Sequence, residues 1–268
     1  MNIRLLGTGA ADGIPGIMGT GRVSAYAIQH GGKDVRTRSA ALVDGHIKMD
    51  YPPDTLCQVQ RERLNGSDWT AVLFTHSHED HFAISEIQYA LYPFTEHVEL
   101  PFSIYGNSTI GTMLRDRYPD WPIDIVELRS FCTYIHAEYV ITPIPAYHKL
   151  DEECLNLIIQ RNGKTLLYAT DTGIWADGTF AFLSEYKLDC LVIECTEGFK
   201  RPDYKGHLNL TDLAVVLERL RNAGTLTGNS RVVTTHHAHT GDATHGELEE
   251  ALAKLGAEPG YDGQVVHF

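Results

Sequence analysis

An α/β fold is predicted by two observations on the amino-acid sequence. Short apolar runs rich in β-branched residues recur along its whole length, and amphipathic patterns with helix-capping signals fall between them. No internal repeat, low-complexity tract or Pro/Ser-rich linker interrupts the alternation, so residues 1–268 are expected to form one domain. The expected strands cover residues 3–6, 40–43, 71–75, 140–144, 155–159, 165–169, 190–194 and 231–235, and the run HIKMD that ends at Asp50 is strand-like as well. Leu213, Val216, Leu217 and Leu220 stand at i, i+3, i+4 and i+7 on one helix face, opened by Asn209 and closed near Gly224. A second helix follows the capping box Thr244-His245-Gly246-Glu247, with Leu248, Leu252 and Leu255 on its apolar face. A third is expected from just after His81 to about Pro93. The strand-rich first half does not suit a regular doubly wound sheet; two sheets covered by helices fit the order better.

Composition narrows the function. With 43% hydrophobic and 21% charged residues the chain has enough apolar content for a large core. A net charge of -13 and a pI near 5.5 disfavour broad attraction to nucleic acid or to an anionic membrane, so neither is expected as a partner. The opening MNIRLLGTGAADG has too short an apolar run for a signal peptide, and no stretch approaches the roughly 20 apolar residues of a membrane span. The expectation is a cytoplasmic protein. Its five cysteines, Cys57, Cys132, Cys154, Cys190 and Cys195, are odd in number, scattered and without a CxxC pair, which argues against a disulfide framework and against a cysteine-zinc site. The 14 histidines, by contrast, cluster in particular segments.

One of those segments is AVLFTHSHEDHF. A buried strand leads directly into His76, His78, Asp80 and His81, four ligand-type side chains in six positions. Imidazole and carboxylate are the donors that zinc, manganese and iron use, with zinc and manganese the leading expectation. His76 and His78 project to one side of an extended backbone, whereas Asp80 and His81 follow the turn and can address a second ion. A solvated turn does not explain the run, because histidine has no turn preference. Single ligand-type residues also follow later apolar runs: His148 after ITPIPAY, Asp171 after TLLYAT and His236 after RVVTT. Each alone would pass for a core histidine or a turn aspartate; their shared position just after a strand sets them apart.

HSHEDH matches the HxHxDH signature of the metallo-β-lactamase superfamily, and the resemblance extends further. LGTGAADGIP, RTRSA, ITPIPAYH, YATDTG, IECTEGF followed by GHLNLTD, and VVTTHHAH occur in family order over nearly the whole chain. They resemble most the phosphodiesterase branch, which includes the phosphoribosyl cyclic phosphate phosphodiesterase of the carbon-phosphorus lyase pathway and, further off, ribonuclease Z. The resemblance implies a four-layer αββα sandwich and two divalent ions per chain. It makes His76, His78 and His148 ligands of one ion, Asp80, His81 and His236 ligands of the other, and Asp171 the bridge. It places Asp50 behind the metal-binding histidines and makes His207, in KGHLNL, a catalytic residue beside Asp80, as general acid or phosphate contact. Relatives of this branch are commonly homodimers. They also carry a cysteine cluster after the GxP turn that holds a structural zinc; here the stretch reads GIPGIMGTGRV, so the matching His239 has no cysteine partners and no structural zinc is expected. His237, His239 and His245 are left as pocket-lining or surface side chains.

The expected activity is hydrolysis of a small phosphodiester, cyclic ones included, by a water whose pKa two ions lower towards 7. The rival on the same ions is cleavage of a lactone, thioester or other C–O or C–N bond. A ribonuclease Z activity is disfavoured by the absence of a basic, Gly/Pro-rich tRNA-grasping arm and by the charge. A non-catalytic metal-binding sensor is the last alternative, and it sits poorly with seven filled ligand positions.

Overall fold

The computed structural model describes residues 1–268 as two stacked seven-stranded sheets. The first holds β1 (Asn2–Gly7), β2 (Ala40–Val43), β3 (Ile47–Met49), β4 (Ala71–Leu73), β5 (Ser103–Gly106) and β6 (Ile125–Glu127), with the last strand of the chain, β14 (Val265–His267), on the free side of β1. The second holds β7 (Tyr134–His136), β8 (Tyr139–Pro145), β9 (Leu155–Arg161), β10 (Lys164–Ala169), β11 (Cys190–Glu194), β12 (Arg231–Thr235) and β13 (Glu258–Pro259). From β14 to β3 neighbours run antiparallel, and from β3 to β6 parallel. The second sheet repeats the order: antiparallel from β7 to β10, parallel from β10 to β13. This repetition leaves no trace as a sequence repeat.

The layering follows from side-chain alternation. On β2, Ala41 and Val43 enter a 21-residue core between the sheets, while Ala40 and Leu42 face a second core on the outer side. On β10, Leu166 and Tyr168 face inward and Leu167 and Ala169 outward, into a third core. Strands apolar on both faces must be covered twice. The outer face of the second sheet is covered by α4 (Asp177–Leu183), α5 (Leu210–Asn222) and α6 (His245–Ala253); that of the first packs on α3 (Ser108–Arg117). Two further helices, α1 (Arg22–His30) and α2 (Thr55–Glu62), precede these in the chain. The result is the four-layer αββα sandwich. No helix is long and apolar enough to cross a membrane.

Helix α5 buries the expected Leu213, Val216, Leu217 and Leu220 behind an Asn209 cap that accepts from the amides of Thr211 and Asp212. Helix α6 starts on the expected capping box. The expected helix after His81 is instead a 3-10 segment, Ile84–Ala90, in which Ile87 is the only buried residue. Its core-facing residues Ile84, Ile87 and Ala90 stand three apart, the period of a 3-10 helix and not of an α-helix. Strand β4 is also shorter than expected, because the chain leaves the sheet after Leu73 to form the histidine loop.

Candidate metal centre

Parallel strands end on the same edge of a sheet, and here both sheets bring such edges together. Asp50 follows β3, His76 to His81 follow β4, His148 follows β8, Asp171 follows β10, Glu194 ends β11 and His236 follows β12. The seam is closed by the Leu155 amide, at the start of β9, which donates to the Thr75 carbonyl at 2.9 Å. Asp50, Asp171 and His236 all have left-handed backbone, with φ of 55°, 50° and 55°, so each side chain turns abruptly out of strand direction.

All seven side chains singled out in the sequence converge. His78 Nδ1 lies 3.0 Å from His76 Nε2 and 3.0 Å from His148 Nε2. His81 Nε2 lies 3.2 Å from Asp80 Oδ2 and 3.3 Å from His236 Nε2, and His236 Nε2 is 3.6 Å from Asp80 Oδ2. Asp171 reaches both sets, with Oδ2 at 2.9 Å from His81 Nε2 and Oδ1 at 3.7 Å from His148 Nε2. Donors on a tetrahedral ion at 2.0–2.1 Å are about 3.3 Å apart, so these spacings are those of side chains that could share a divalent cation. The donor set fits divalent cations: imidazole and carboxylate, without thiolate.

The electrostatics agree. Burial alone would raise the Asp171 carboxyl, but His236 and His81 hold it well below the usual range. Burial would likewise raise Asp80, and His81 and His236 hold it low. Both carboxylates are therefore in the form that ligates a cation.

Behind the donors, the opposite ring nitrogens are held. Asp50, fully buried, accepts from His81 Nδ1 at 2.8 Å and from the Thr75 amide at 2.8 Å, which directs His81 Nε2 into the cluster. Thr75 Oγ1 lies 3.0 Å from His76 Nδ1, Thr196 Oγ1 lies 2.9 Å from His236 Nδ1, and the Gly206 carbonyl is 3.1 Å from His148 Nδ1. His207 joins His148 and Asp171 in a further close group, and its Nδ1 is 2.8 Å from Glu194 Oε1. Burial would lower the His207 imidazole, but Glu194 raises it to about 9. Its loop is seated at Gly173, where an added Cβ would fall 1.9 Å from the Lys205 carbonyl; only glycine permits that approach.

The remaining histidines fall elsewhere. His237 is buried with Nε2 3.2 Å from Thr234 Oγ1, His245 is buried against Arg36, and His239 pairs with Asp12 at 2.6 Å. None joins the donor groups. Glu194, Thr75 and Thr196 were not anticipated. The signal for Glu194 was an acid closing a wholly apolar strand; the two threonines gave none.

Comparison with known proteins fixes the family. Residues 48–237, which hold every donor above, match the profile of the Beta-lactamase superfamily domain. The chain belongs to this superfamily. Among solved structures it resembles a diphosphatase of the PhnP family, at 21% identity and a TM-score of 0.80, covering 100% of this chain and 97% of that one. It also resembles zinc-bound PqqB from Methylobacterium extorquens, at 17% identity and a TM-score of 0.77 with 100% of both chains covered. Human tRNase Z, short form, aligns at 16% identity and a TM-score of 0.67, over 100% and 99% of the two chains. No curated protein sequence matches the chain significantly. As a superfamily member it shares with these three the two-sheet sandwich described above.

Proposed function

We propose that this protein is a dinuclear, metal-dependent phosphodiesterase acting on small phosphodiesters, cyclic ones included. The observation that carries the reading is the pair of donor groups joined through Asp171, with His207 beside the joint. His76, His78 and His148 would hold one ion and Asp80, His81 and His236 the other, with Asp171 within reach of both groups. Zinc and manganese suit the set best, and iron also fits. When bound, such a pair supplies Lewis acidity to a phosphoryl oxygen and a hydroxide nucleophile at neutral pH.

The chain's own contribution is positional and protonic. Glu194 engages His207 Nδ1, leaving Nε2 as the position from which the ring serves the substrate. There His207 donates a proton to the departing oxygen. Asp50 and Thr196 keep His81 and His236 aimed. Two of the three neighbours, a diphosphatase and a tRNase Z, carry names that describe phosphorus chemistry, which supports a phosphoryl centre over an acyl one. A net charge of -13 supports a small substrate over tRNA.

The test is metal analysis of the purified protein joined to a screen of cyclic and linear phosphodiesters beside a lactone and a thioester. The expected result is two divalent ions per chain and turnover of a phosphodiester that chelation abolishes. Turnover of the lactone or thioester alone would overturn the proposal. Within it, the proton-donor role predicts that His207→Ala loses about 10²–10⁴-fold on an unactivated diester and much less on an activated one, since a good leaving group needs no proton; equal losses would refute that role.

A further inference from the structure

Four of the five histidines in the centre have their second ring nitrogen held by the protein, through Thr75, Asp50, Gly206 and Thr196. His78 is the exception: its Nδ1 faces the donors of His76 and His148, and its Nε2 has no protein partner. A ring without that second tether depends on its backbone being held, and the backbone beside it is held in an unusual way.

Ser77, between His76 and His78, donates its hydroxyl to Glu152 Oε2. The Glu152 side chain is fully buried. Lys149, which directly follows His148, donates to the same Oε2 at 3.0 Å and to Ser77 Oγ at 3.2 Å. Glu152 Oε1 accepts from Asn107 Nδ2 at 2.7 Å, and Asn107 is itself the cap of α3, with Oδ1 accepting from the Ile110 amide at 3.0 Å. One buried carboxylate therefore ties together three connections: the loop after β4, the entry to α3 after β5, and the β8–β9 connection. The first carries His76 and His78 and the last carries His148, the three donors on one side of the centre. The other side, Asp80, His81 and His236, is braced by Asp50 and Thr196 and makes no contact with this clasp.

We infer that Glu152 is a positioning residue for one ion of the pair, setting the affinity of the His76-His78-His148 cradle while leaving the Asp80-His81-His236 cradle unchanged. The inference rests on the two-ion reading above. A fully buried carboxylate is costly to keep unless each oxygen is satisfied, and here each is, by a hydroxyl and an ammonium on one and an amide on the other. Such a group holds its partners tightly because losing any one of them exposes the charge to an apolar surrounding.

The experiment is titration of the chelator-stripped protein with Mn²⁺, counting free ion by its EPR signal, for the wild type, Glu152→Ala, Glu152→Gln and Ser77→Ala. The wild type takes up two equivalents. Glu152→Ala retains one at wild-type affinity and weakens the other by about 10–100-fold, the usual loss for a group that orients a ligand. Ser77→Ala, which keeps the Asn107 and Lys149 links, weakens the same equivalent to a smaller degree, and it decides the matter if Glu152→Ala does not fold. Glu152→Gln, which keeps an acceptor for Ser77, recovers part of the loss. Equal weakening of both equivalents, or none, in a folded Glu152→Ala would overturn the positioning role. A wild type that takes up fewer than two equivalents would instead overturn the two-ion reading on which it stands.

Discussion

The two sheets share one order of strand pairing but contribute to the centre in different ways. The first gives four donors from a single loop after β4; the second gives one donor from the end of each of three strands, β8, β10 and β12. Each sheet also sets one buried acid at the end of a parallel strand in support. Asp50, after the fourth strand of the first sheet, serves Thr75 and His81. Glu194, ending the fifth strand of the second, accepts from Thr172, Thr196, His207 and Leu208. The difference teaches that one half of the site is built from local sequence and the other from topology. The first half is set by loop conformation, the second by the register of β8, β10, β11 and β12.

The largest effect is expected where the halves join. Asp171→Asn should lower metal content and reduce kcat/KM by on the order of 10³-fold, measured by elemental analysis and steady-state turnover; retention of two ions would show that the halves do not share this carboxylate. Next, Glu194→Gln removes the charge that raises His207 to about 9. A raised imidazole keeps its proton up to its own pKa, so activity that needs the proton fades as pH rises through that value. The variant's upper pH limb should move down towards about 6.5, the ordinary histidine value, and a pH–rate profile checks the sign. On the first sheet, Asp50→Asn should weaken the ion held by His81 by about 10–100-fold without moving that limb, as metal titration and the same profile would report.

Much of this was legible beforehand, and unequally so. The loop-built half stands in plain sequence as HSHEDH. The topology-built half gave only single residues after apolar runs, and their convergence depended on pairing that periodicity does not encode. Strands 40–43, 190–194 and 231–235 were placed correctly because both faces are apolar and turn residues bound them. β6, β7 and β14, each three residues with at least two outside the core, carry too little pattern to be seen. Helices α1, α2, α3 and α4 were also missed; α1 and α2 bury only three and two residues each, which leaves a weak periodic stripe. The clasp at Glu152 was invisible because Ser77 and Asn107 are distant from it in sequence and Lys149, three residues before it, reads as an ordinary loop ion pair.

The smallest expected effect sharpens the comparison of the supporting strands. Two residues before Asp171 the second sheet buries Ala169; two residues before Asp50 the first buries Lys48, beside the rings of Tyr51 and Trp69. Burial pushes the Lys48 ammonium down to about 7, against the pull of Asp50. Between that value and about 10.4, the ordinary lysine value, the unfolded chain binds more protons than the folded one, so stability rises with pH across the window. Below it both forms are protonated and the cost of burying the charge is carried in full. Lys48→Met should be more stable by about 1 kcal/mol near neutral pH and lose the rise; urea melts at about pH 6 and about pH 9 would reveal either outcome.

The left-handed backbone of Asp50, Asp171 and His236 bears on how any substitution at this rim is interpreted. Asparagine and aspartate tolerate that conformation, whereas a β-branched residue carries a conformational penalty of about 1–2 kcal/mol before any chemistry is lost. Alanine replacements here mix local refolding with the missing donor, and glycine would relax the main chain while deleting the function. At the two aspartates the isosteric amide is the cleaner probe, and a library aimed at new substrates would do well to hold all three positions fixed and vary the loops between them.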